Sequence, residues 1–516
     1  MKKRTIKFSL LIAITIGLFI TACSNDEWDK HYNNTDVVLS NQSLSEIINN
    51  ETDLTIFHRL MEISGYDKLL SSSQTFTVWA PLDTDSAWRA NFQAFTLQSA
   101  VITTADSLKI AKVVGNHISR FSYTTSGLDS QRLYLLCNKI TDFKLINNKA
   151  YFGKIPLGID INIPAKNGVL HKINGYSPYV PSHWEYLMTA PKGSGLSSGL
   201  DSITDYFNSL IIEDDYGKIV NTFFRDYAKL DDDDSTYTFI ALNNHAWAMA
   251  IQKALPYHRI YNDTKGMQRI YSQKAIISDL FFSRVADPAG LDSIISVNKT
   301  VFHDVNNLFV GATKVKSSNG PMFIVDSLRM KAQDSWHKKI VVEAERNTYG
   351  RNNISSDLFT RSYNGSTFKV SNGSYVFLKS TGSAGATKAM LSLNIPNVLS
   401  AKYNLYVVFV PEAIENATTP LPVKAEVRVY YRAANGRVPS TTPNLKLTGI
   451  AVPKDVMLKK LIGTITFPWC SMYLKGNPSS LDVKVEIENI VSISEESHKT
   501  YKRDLRVDCV ILEPVE

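Results

Sequence analysis

Two segments of the chain alternate polar and apolar residues in the same way and end in the same kind of turn. Residues 75–83 have the sequence TFTVWAPLD, and residues 236–244 have the sequence TYTFIALNN. Alternation with a period of two residues is typical of a β-strand with one buried face. In both segments a polar turn and an Ala-Trp pair follow, at residues 87–88 and 246–247. The pattern therefore predicts that one strand-and-turn unit occurs twice.

Two further features occur in the same order after each of these strands. An Asn-Asn pair lies between apolar segments within residues 143–152 and again within residues 301–310, and it predicts a β-hairpin in both places because Asn tolerates positive φ. An Asn-Gly pair then begins an apolar strand at residues 167–173 and 319–326. Three matched features in one order indicate a tandem repeat of a single domain.

The strand ending in a turn and the later Asn-Gly strand resemble the two signatures of the fasciclin-like domain. Those signatures run roughly Thr-Val-Phe-Ala-Pro-Thr-Asn and Asn-Gly-x-Ile-His-x-Ile-Asp. The resemblance implies an α+β fold, a fasciclin-like β-sandwich or wedge with helices, present in tandem. We assign the first copy to residues 39–186, a Gly- and Ser-containing linker to 187–198, and a divergent second copy to 199–336.

The second copy departs from the family signature at the positions of two histidines. His117 and His171 of the first copy have Leu280 and either Phe323 or Ile324 as their counterparts. His117 shares a helix face with apolar residues, which predicts a core histidine whose ring nitrogens bond locally. Because the replacements are apolar, these positions are expected to be structural in both copies.

The N-terminal residues are typical of a bacterial lipoprotein signal. Residues 1–22 have a basic head and an apolar core shorter than a spanning helix, and they end at Ile20-Thr21-Ala22-Cys23, which resembles a lipobox. The resemblance implies that Cys23 is acylated with palmitate, begins a tether over residues 23–38 and anchors the protein in the outer membrane. Acidic residues within 24–29 resemble a surface-export signal of Bacteroidota-type lipoproteins, and a plain solvated tether is the alternative.

The charge of the chain gives no support for a nucleic-acid partner. The formal net charge is +7, but residues 1–22 hold four cations and no anions, so the mature chain carries about +3. We expect no nucleic acid among the partners of the protein.

Residues 337–516 contain alternating strands with few helical patterns, which predicts an all-β sandwich of the jelly-roll type. The region opens with Val-Glu-Ala-Glu at residues 342–345 and closes with a strand at residues 504–511. These two ends resemble the first and last strands of jelly-roll carbohydrate-binding modules. The resemblance implies a structural calcium, for which the candidate ligands are Glu343, Glu345 and Asp508.

Aromatic and sulfur-containing residues of the same region allow two interpretations each. Trp469 and Tyr473 are candidate sugar-stacking residues, and the alternative is that they are core aromatics of the sandwich. Cys509 falls on the predicted inward face, where a buried inert thiol is expected. Cys470 and Cys509 are the one pair within a predicted domain that could form a disulfide.

Three classes of function remain open. The first is a non-catalytic surface lipoprotein that binds glycans, extracellular matrix or surface proteins. The second is an accessory subunit of an outer-membrane transporter complex for polysaccharide uptake. The third is a hydrolase, which the sequence disfavours because it contains no H-E-x-x-H motif, no paired metal-ligand spacing and no credible nucleophile motif. Two glycosidase carboxylates would need no such motif. We expect a binding protein and not an enzyme.

Overall fold

The computed structural model describes residues 40–190, 192–193, 198–283, 288–381, 388–474 and 476–515. Cys23 and the predicted signal peptide and tether lie outside these described residues. The chain divides into two compact units, one ending at Val180 and the other beginning at Pro181. Among the described residues, every helix is too short or too polar to cross a membrane.

The first unit combines helices with two four-stranded sheets. Its elements in chain order are α1 (Leu44–Asn50), α2 (Thr55–Ser64), α3 (Tyr66–Leu70), β1 (Phe76–Pro81), α4 (Ser86–Phe92), α5 (Thr104–Gly115), β2 (Ile118–Arg120), β3 (Ser130–Tyr134), β4 (Ile140–Ile146), β5 (Lys149–Phe152), β6 (Ile155–Pro156), β7 (Ile163–Ala165) and β8 (Gly168–Ile173). The central sheet has the order β2-β1-β8-β7, with β1 and β8 parallel. The second sheet is β3-β4-β5-β6, and its β4–β5 hairpin turns at Asn147 and Asn148 with φ of 50° and 59°, which confirms the first predicted hairpin.

The second unit begins with a domain built on the same plan. Its elements are α6 (His183–Thr189), α7 (Asp201–Asn208), β9 (Ile211–Glu213), β10 (Ile219–Asn221), α8 (Thr222–Asp226), β11 (Tyr237–Leu242), α9 (Asn244–Ala254), α10 (Met267–Ile277), β12 (Phe281–Ser283), β13 (Ile294–Ile295), β14 (Val301–Phe302), α11 (Val305–Leu308), β15 (Thr313–Ser317) and β16 (Gly320–Val325). The sheet order is β12-β11-β16-β15, with β11 and β16 parallel. Because the central strands match β2-β1-β8-β7 in order and direction, the prediction of a tandem fold is confirmed.

The Asn-Gly pairs hold corresponding parts of the two domains together. The Asn167 side chain accepts a hydrogen bond from the first N–H of α1 at 2.8 Å and donates to the carbonyl of Leu70 at 2.7 Å. Asn319 makes the equivalent bonds to the first N–H of α6 and to the carbonyl of Leu230, both at 2.9 Å. A Cβ on Gly168 would lie only 1.8 Å from a backbone oxygen of β1, so the following residue must be glycine. The landmark is therefore structural in both copies.

The first helix of the second domain begins before the predicted boundary at residue 186. Ser182 forms a capping box with Glu185 at the start of α6, as Ser43 does with Glu46 at the start of α1. The N–H of Trp184 donates to the carbonyl of Leu230 within the second unit. The helix His183–Thr189 therefore packs as the opening helix of the second domain.

His117 and Leu280 occupy equivalent places, as the repeat predicts. The N–H of Trp79 in β1 donates to the His117 carbonyl, and the N–H of Ile240 in β11 donates to the Leu280 carbonyl, both at 2.9 Å. The buried His117 ring donates from Nδ1 to the Val113 carbonyl and accepts the Ser177 N–H at Nε2, both at 2.9 Å. The prediction of a locally satisfied core histidine is confirmed.

The second predicted Asn-Asn hairpin is wrong. Residues 305–308 form the short helix α11 in place of a β-turn, and Val305 and Leu308 at its two ends are buried. Spacing of i and i+3 places both apolar side chains on one face of a helical turn, and their burial outweighs the turn preference of the Asn pair.

The second unit ends in an all-β sandwich, which confirms the predicted fold class. Its elements are β17 (Ile340–Glu343), β18 (Arg351–Ile354), β19 (Ser356–Ser362), β20 (Ser374–Ser380), β21 (Met390–Asn394), β22 (Lys402–Phe409), β23 (Val423–Tyr430), β24 (Leu445–Val452), β25 (Leu458–Thr466), β26 (Lys484–Asn489), α12 (Ile493–Ser497) and β27 (Leu505–Pro514). One sheet has the order β19-β20-β27-β22-β25 with β17 also paired to β27, and the other has the order β18-β21-β26-β23-β24. Apolar residues of both antiparallel sheets share one core, including Leu405 and Val407 from the first sheet and Val427 and Ile487 from the second.

A β-bulge in the last strand changes which residues face the sandwich core. In the pairing of β22 with β27, Val408 lies opposite Cys509 and Phe409 lies opposite Val507, so Asp508 is the extra residue. Beyond the bulge, Val510 belongs to the core. Cys509 instead packs with Val408 in a small separate cluster. The predicted inward position of Cys509 is therefore wrong, although its side chain is buried and, like Cys470, it is a free thiol.

Candidate functional sites in the sandwich domain

Trp469 lies where the sandwich contacts the second fasciclin-like domain. Its ring packs edge-on against Tyr261 with a centroid distance of 5.5 Å, and its Nε1 donates to the Ala433 carbonyl at 3.0 Å. The next residue, Cys470, donates its N–H to the carbonyl of Arg259 at 2.7 Å. A sugar-stacking residue needs a free ring face. Trp469 is instead a partly buried packing residue between two domains, which corrects its predicted role.

Tyr473 is also held by neighbours within the sandwich. Its ring packs edge-on against Tyr349 at 5.0 Å, and its hydroxyl accepts the N–H of Gly476 at 3.1 Å. The hydroxyl also lies 3.4 Å from the Thr348 carbonyl. These contacts fix a partly buried ring at the surface of the domain and leave it a weak stacking candidate.

The candidate metal site is formed where the first and last strands of the sandwich pair. Glu343 at the end of β17 lies opposite Cys509 in β27, and the N–H of Ala344 donates to the Asp508 carbonyl at 2.9 Å. The bulge frees Asp508 from the regular alternation of β27. Ligand atoms of Glu343, Asp508 and Cys509 all lie within 4.8 Å of one another.

The loop between β19 and β20 joins all three predicted carboxylates. The N–H of Ser371 donates to both Asp508 carboxylate oxygens at 3.0 and 3.1 Å, and its hydroxyl donates to Glu343 Oε1 at 2.7 Å. Asn372 donates from Nδ2 to Glu345 Oε1 at 3.1 Å. The structure therefore brings Glu343 and Asp508 together and connects Glu345 to them through this loop.

Two carboxylate oxygen atoms of this cluster lack the hydrogen-bond partners that buried carboxylates need. Glu343 Oε2 and Glu345 Oε2 are buried without a hydrogen-bond partner in the described part of the chain. Burial, together with the negative charges of Glu343 and Glu345, raises the pKa of Asp508 to about 7. Buried carboxylates are ordinarily paired or coordinate metals, so the cluster has the electrostatics of a cation site.

The chemistry of the donors fits calcium better than a soft metal. Calcium takes oxygen ligands from carboxylates and backbone carbonyls, and Glu343, Glu345 and Asp508 supply them. Burial and the neighbouring Asp508 raise the pKa of the Cys509 thiol, so the thiol stays protonated and is a poor metal ligand at neutral pH. The sequence missed the part played by Ser371, because no local pattern links it to Glu343, 28 positions away, or to Asp508, 137 positions away.

An exposed aromatic surface lies on the edge strand β19, and sequence reasoning missed it. We call Phe359, Arg361 and Tyr363 the aromatic edge. Phe359 is 39% exposed and stacks on Phe377 at 6.0 Å, and the Arg361 guanidinium lies 5.2 Å from the Phe359 ring centroid. Arg361 is also 3.7 Å from the Glu415 carboxylate. The aromatic edge therefore offers an accessible ring beside charged hydrogen-bonding groups.

Comparison with a protein-family model agrees with the fold of the first domain. Residues 52–176 match the model described as Fasciclin domain. The chain therefore contains a Fasciclin domain within its first unit. The comparison with curated proteins gives no match.

Solved structures with similarity to the chain include an adhesion-molecule domain pair, carbohydrate binding modules and enzymes such as a Paenibacillus xanthan lyase. A FAS1 domain pair from the insect cell adhesion molecule Fasciclin I is 12% identical, spans 54% of this chain and 97% of its own, and has a TM-score of 0.21. A family 35 carbohydrate binding module from Clostridium thermocellum is 12% identical over 34% of this chain and 99% of its own, with a TM-score of 0.20. The C-terminal family 22 carbohydrate binding module of Clostridium thermocellum Xyn10B is 10% identical over 35% and 94%, with a TM-score of 0.21. The fold assignment rests on the strand orders described above.

Proposed function

We propose that the protein is a non-catalytic surface lipoprotein for adhesion or for binding extracellular glycans or matrix. The observation that carries this proposal is the joining of two fasciclin-like domains to a jelly-roll-like sandwich in one chain. Both kinds of domain are scaffolds whose loops and sheet edges are available for recognition. A single chain with this arrangement of domains can bind a ligand at a distance from the end that anchors it.

The anchor in this proposal is the acylated Cys23 in the outer membrane. Its support is the lipobox after a short apolar core in the sequence. The partners are then the membrane on one side and a glycan, matrix component or surface protein on the other. If the protein were instead an accessory subunit for polysaccharide uptake, it would copurify with an outer-membrane transporter after mild detergent extraction, and this experiment separates the two roles.

The calcium in this proposal is structural and not catalytic. Glu343, Glu345 and Asp508 would hold it at the junction of β17, β27 and the loop containing Ser371. A divalent cation there would neutralise carboxylates that have no Lys or Arg partner within 4 Å in the described chain. Its contribution would be to fix that loop beside the sheet.

The glycan contact in this proposal is the aromatic edge and not Trp469. A sugar ring packs on an accessible aromatic side chain and needs polar partners beside it, and the partly exposed Phe359 next to Arg361 offers both. Phe359 also rests on Phe377, so its ring is held in place before a ligand binds.

The test is a glycan array with soluble residues 24–516, followed by affinity measurements on each glycan that binds. Phe359→Ala is expected to weaken binding by about tenfold, since loss of one stacking contact costs on the order of 1–3 kcal/mol. Ile354→Ala removes an apolar side chain that is 48% exposed on the other sheet and is the matched control. Absence of any binding to glycans or matrix proteins would contradict the proposed function, and equal affinities of the two variants would contradict the assigned surface.

The proposal of a non-catalytic role has its own test. The wild-type protein is incubated with each glycan that it binds, and new reducing ends are measured over a day. We expect no increase above buffer, and a turnover that depends on the protein would reassign the protein as a hydrolase.

A further inference from the structure

A pocket of about 460 Å³ opens among three helices of the second fasciclin-like domain. Helix α7 contributes Ser202, Asp205 and Tyr206, and Ser209 follows directly after the helix. The spacing of i, i+3, i+4 and i+7 places these four residues on one face of the helix. The volume lies within the range of small-molecule binding sites.

The other walls of the pocket come from α9 and α10. Trp247 belongs to α9, and Arg269 and Gln273 lie one turn apart on α10. Trp247 and Tyr206 contact each other with a ring-centroid distance of 5.3 Å and form the apolar floor. The pocket is therefore lined by rigid helical elements, which hold recognition groups more accurately than loops do.

In the first domain, aromatic rings enclose Trp88, the tryptophan that follows the central strand. Trp88 is fully buried, and the rings of Phe92 and Tyr176 pack against it at 4.6 and 5.4 Å. In the second domain, Asp205 and Arg269 lie beside the corresponding Trp247 and leave space between the helices. The residues around this tryptophan therefore differ between the two copies.

The charges at the pocket are complementary to a ligand that carries charges of both signs. Asp205 and Arg269 are both exposed, and neither side chain has an opposite charge within 4 Å among the described residues. Trp247 and Tyr206 are only 3% and 8% exposed, so they offer little ring surface on which a sugar could stack. The accessible groups are one carboxylate, one guanidinium, hydroxyls and an amide above a small apolar floor.

We propose that this pocket binds a small zwitterion of the amino-acid or dipeptide class. Arg269 receives the ligand carboxylate, for which the guanidinium geometry allows two parallel hydrogen bonds. Asp205 receives the ligand ammonium group. Trp247 and Tyr206 contact the short apolar part of the ligand, and Gln273 is available for hydrogen bonding beside it. This site is separate from the aromatic edge and does not depend on glycan binding.

Saturation-transfer NMR on soluble residues 24–516 tests the proposal. The probes are L-leucine, glycylglycine and a series of ω-amino acids from glycine to 6-aminohexanoate, which varies the separation of the two charges. Each is compared with its N-acetyl and its carboxamide derivative. We expect transfer to zwitterions and at least a fivefold loss when either charge of the ligand is removed.

Charge-neutral variants identify the site. Arg269→Gln and Asp205→Asn are each expected to reduce transfer at least fivefold, and both lie at the surface, where the fold tolerates substitution. Lys265→Gln and Asp215→Asn make the same charge changes at exposed positions outside the pocket and are expected to retain full transfer. Absence of transfer from every zwitterion, equal transfer in all four variants, or transfer from methyl glycosides that Arg269→Gln abolishes would each overturn the proposal.

Discussion

Replacing Trp469 by alanine tests whether this residue packs two domains together or binds a ligand. The ring contacts Tyr261 of the fasciclin-like domain, and its Nε1 donates to the Ala433 carbonyl. The same contact involves Gly436, where an added Cβ would lie 2.0 Å from Cζ of Tyr261. Because Tyr261 contacts both Gly436 and the ring of Trp469, truncation of Trp469 removes part of the packing around Tyr261.

The size of the effect follows from the partial burial of the ring. Truncation of a fully buried Trp costs about 3–5 kcal/mol, so roughly half of that, ~2 kcal/mol, is expected for a partly buried ring. Loss of the hydrogen bond to Ala433 adds about 1 kcal/mol. We therefore expect Trp469→Ala to lower the free energy of unfolding of the second unit by about 3 kcal/mol.

Urea unfolding and hydrogen exchange of residues 24–516 measure this effect. We expect a lower unfolding midpoint for the second unit and faster exchange in residues 256–263, which contain Tyr261. Leu461→Ala removes an exposed side chain on β25 and should change stability by less than about 0.5 kcal/mol. A double-mutant cycle with Tyr261→Ala should give a coupling of about 1 kcal/mol. If Trp469→Ala weakens glycan binding while stability and exchange remain unchanged, Trp469 is a ligand residue and the packing argument is refuted.

Three further predictions concern the metal site, a buried histidine and the anchor. At a hundredfold excess over its Kd, calcium should increase the free energy of unfolding of the wild type by about 2.7 kcal/mol and therefore raise its melting temperature. Glu343→Gln should abolish this shift, and the exposed Glu213→Gln should retain it. Burial lowers the pKa of His117 to about 4, so the unfolded state takes up a proton first as pH falls from about 6.5, and stability decreases towards pH 4. His117→Leu, which introduces the residue found at Leu280 of the second domain, should reduce the slope of the free energy of unfolding against pH by up to about 1.4 kcal/mol per pH unit. Urea unfolding at several pH values measures this slope. An unchanged slope would contradict the assignment of His117 as a buried neutral histidine. Cys23→Ala should abolish palmitate labelling of the protein in cells, and retained labelling would contradict the lipobox interpretation.

The fasciclin-like repeat could be predicted because its landmarks recur in the same order in both halves of the repeat. Asn167 and Asn319 each connect the first helix of a domain to the loop before its central strand, so the Asn cannot vary without loss of several buried hydrogen bonds. The central strand of each domain donates a backbone N–H to the carbonyl of His117 or Leu280. Because this hydrogen bond does not involve the side chain, Leu can replace His at this buried position. Such features are visible in a sequence whenever one chain contains both copies.

The failed predictions concern residues whose environment is set by distant segments. The Asn-Asn pair at 147–148 forms a turn and the pair at 306–307 lies in a helix, because the buried neighbours of the second pair, Val305 and Leu308, are spaced for a helical turn. Trp469 has the flanking residues of an exposed loop, but Tyr261, about two hundred positions earlier, packs against it. Local propensity carries no information about such a partner.

The acidic residues of the candidate calcium site could be predicted from the sequence, but the backbone feature that gathers them could not. Strands at the two ends of a sandwich domain can pair, and the pairing of Glu343 with Cys509 brings the predicted acidic residues together. Strict alternation along β27, however, would place Asp508 and Cys509 on opposite faces of the sheet. The bulge at Asp508 breaks this alternation, so that Asp508 accepts hydrogen bonds from Ser371, whose hydroxyl also bonds Glu343. The extra residue in β27 is therefore the feature that turns two adjacent strand ends into a cluster able to hold a cation.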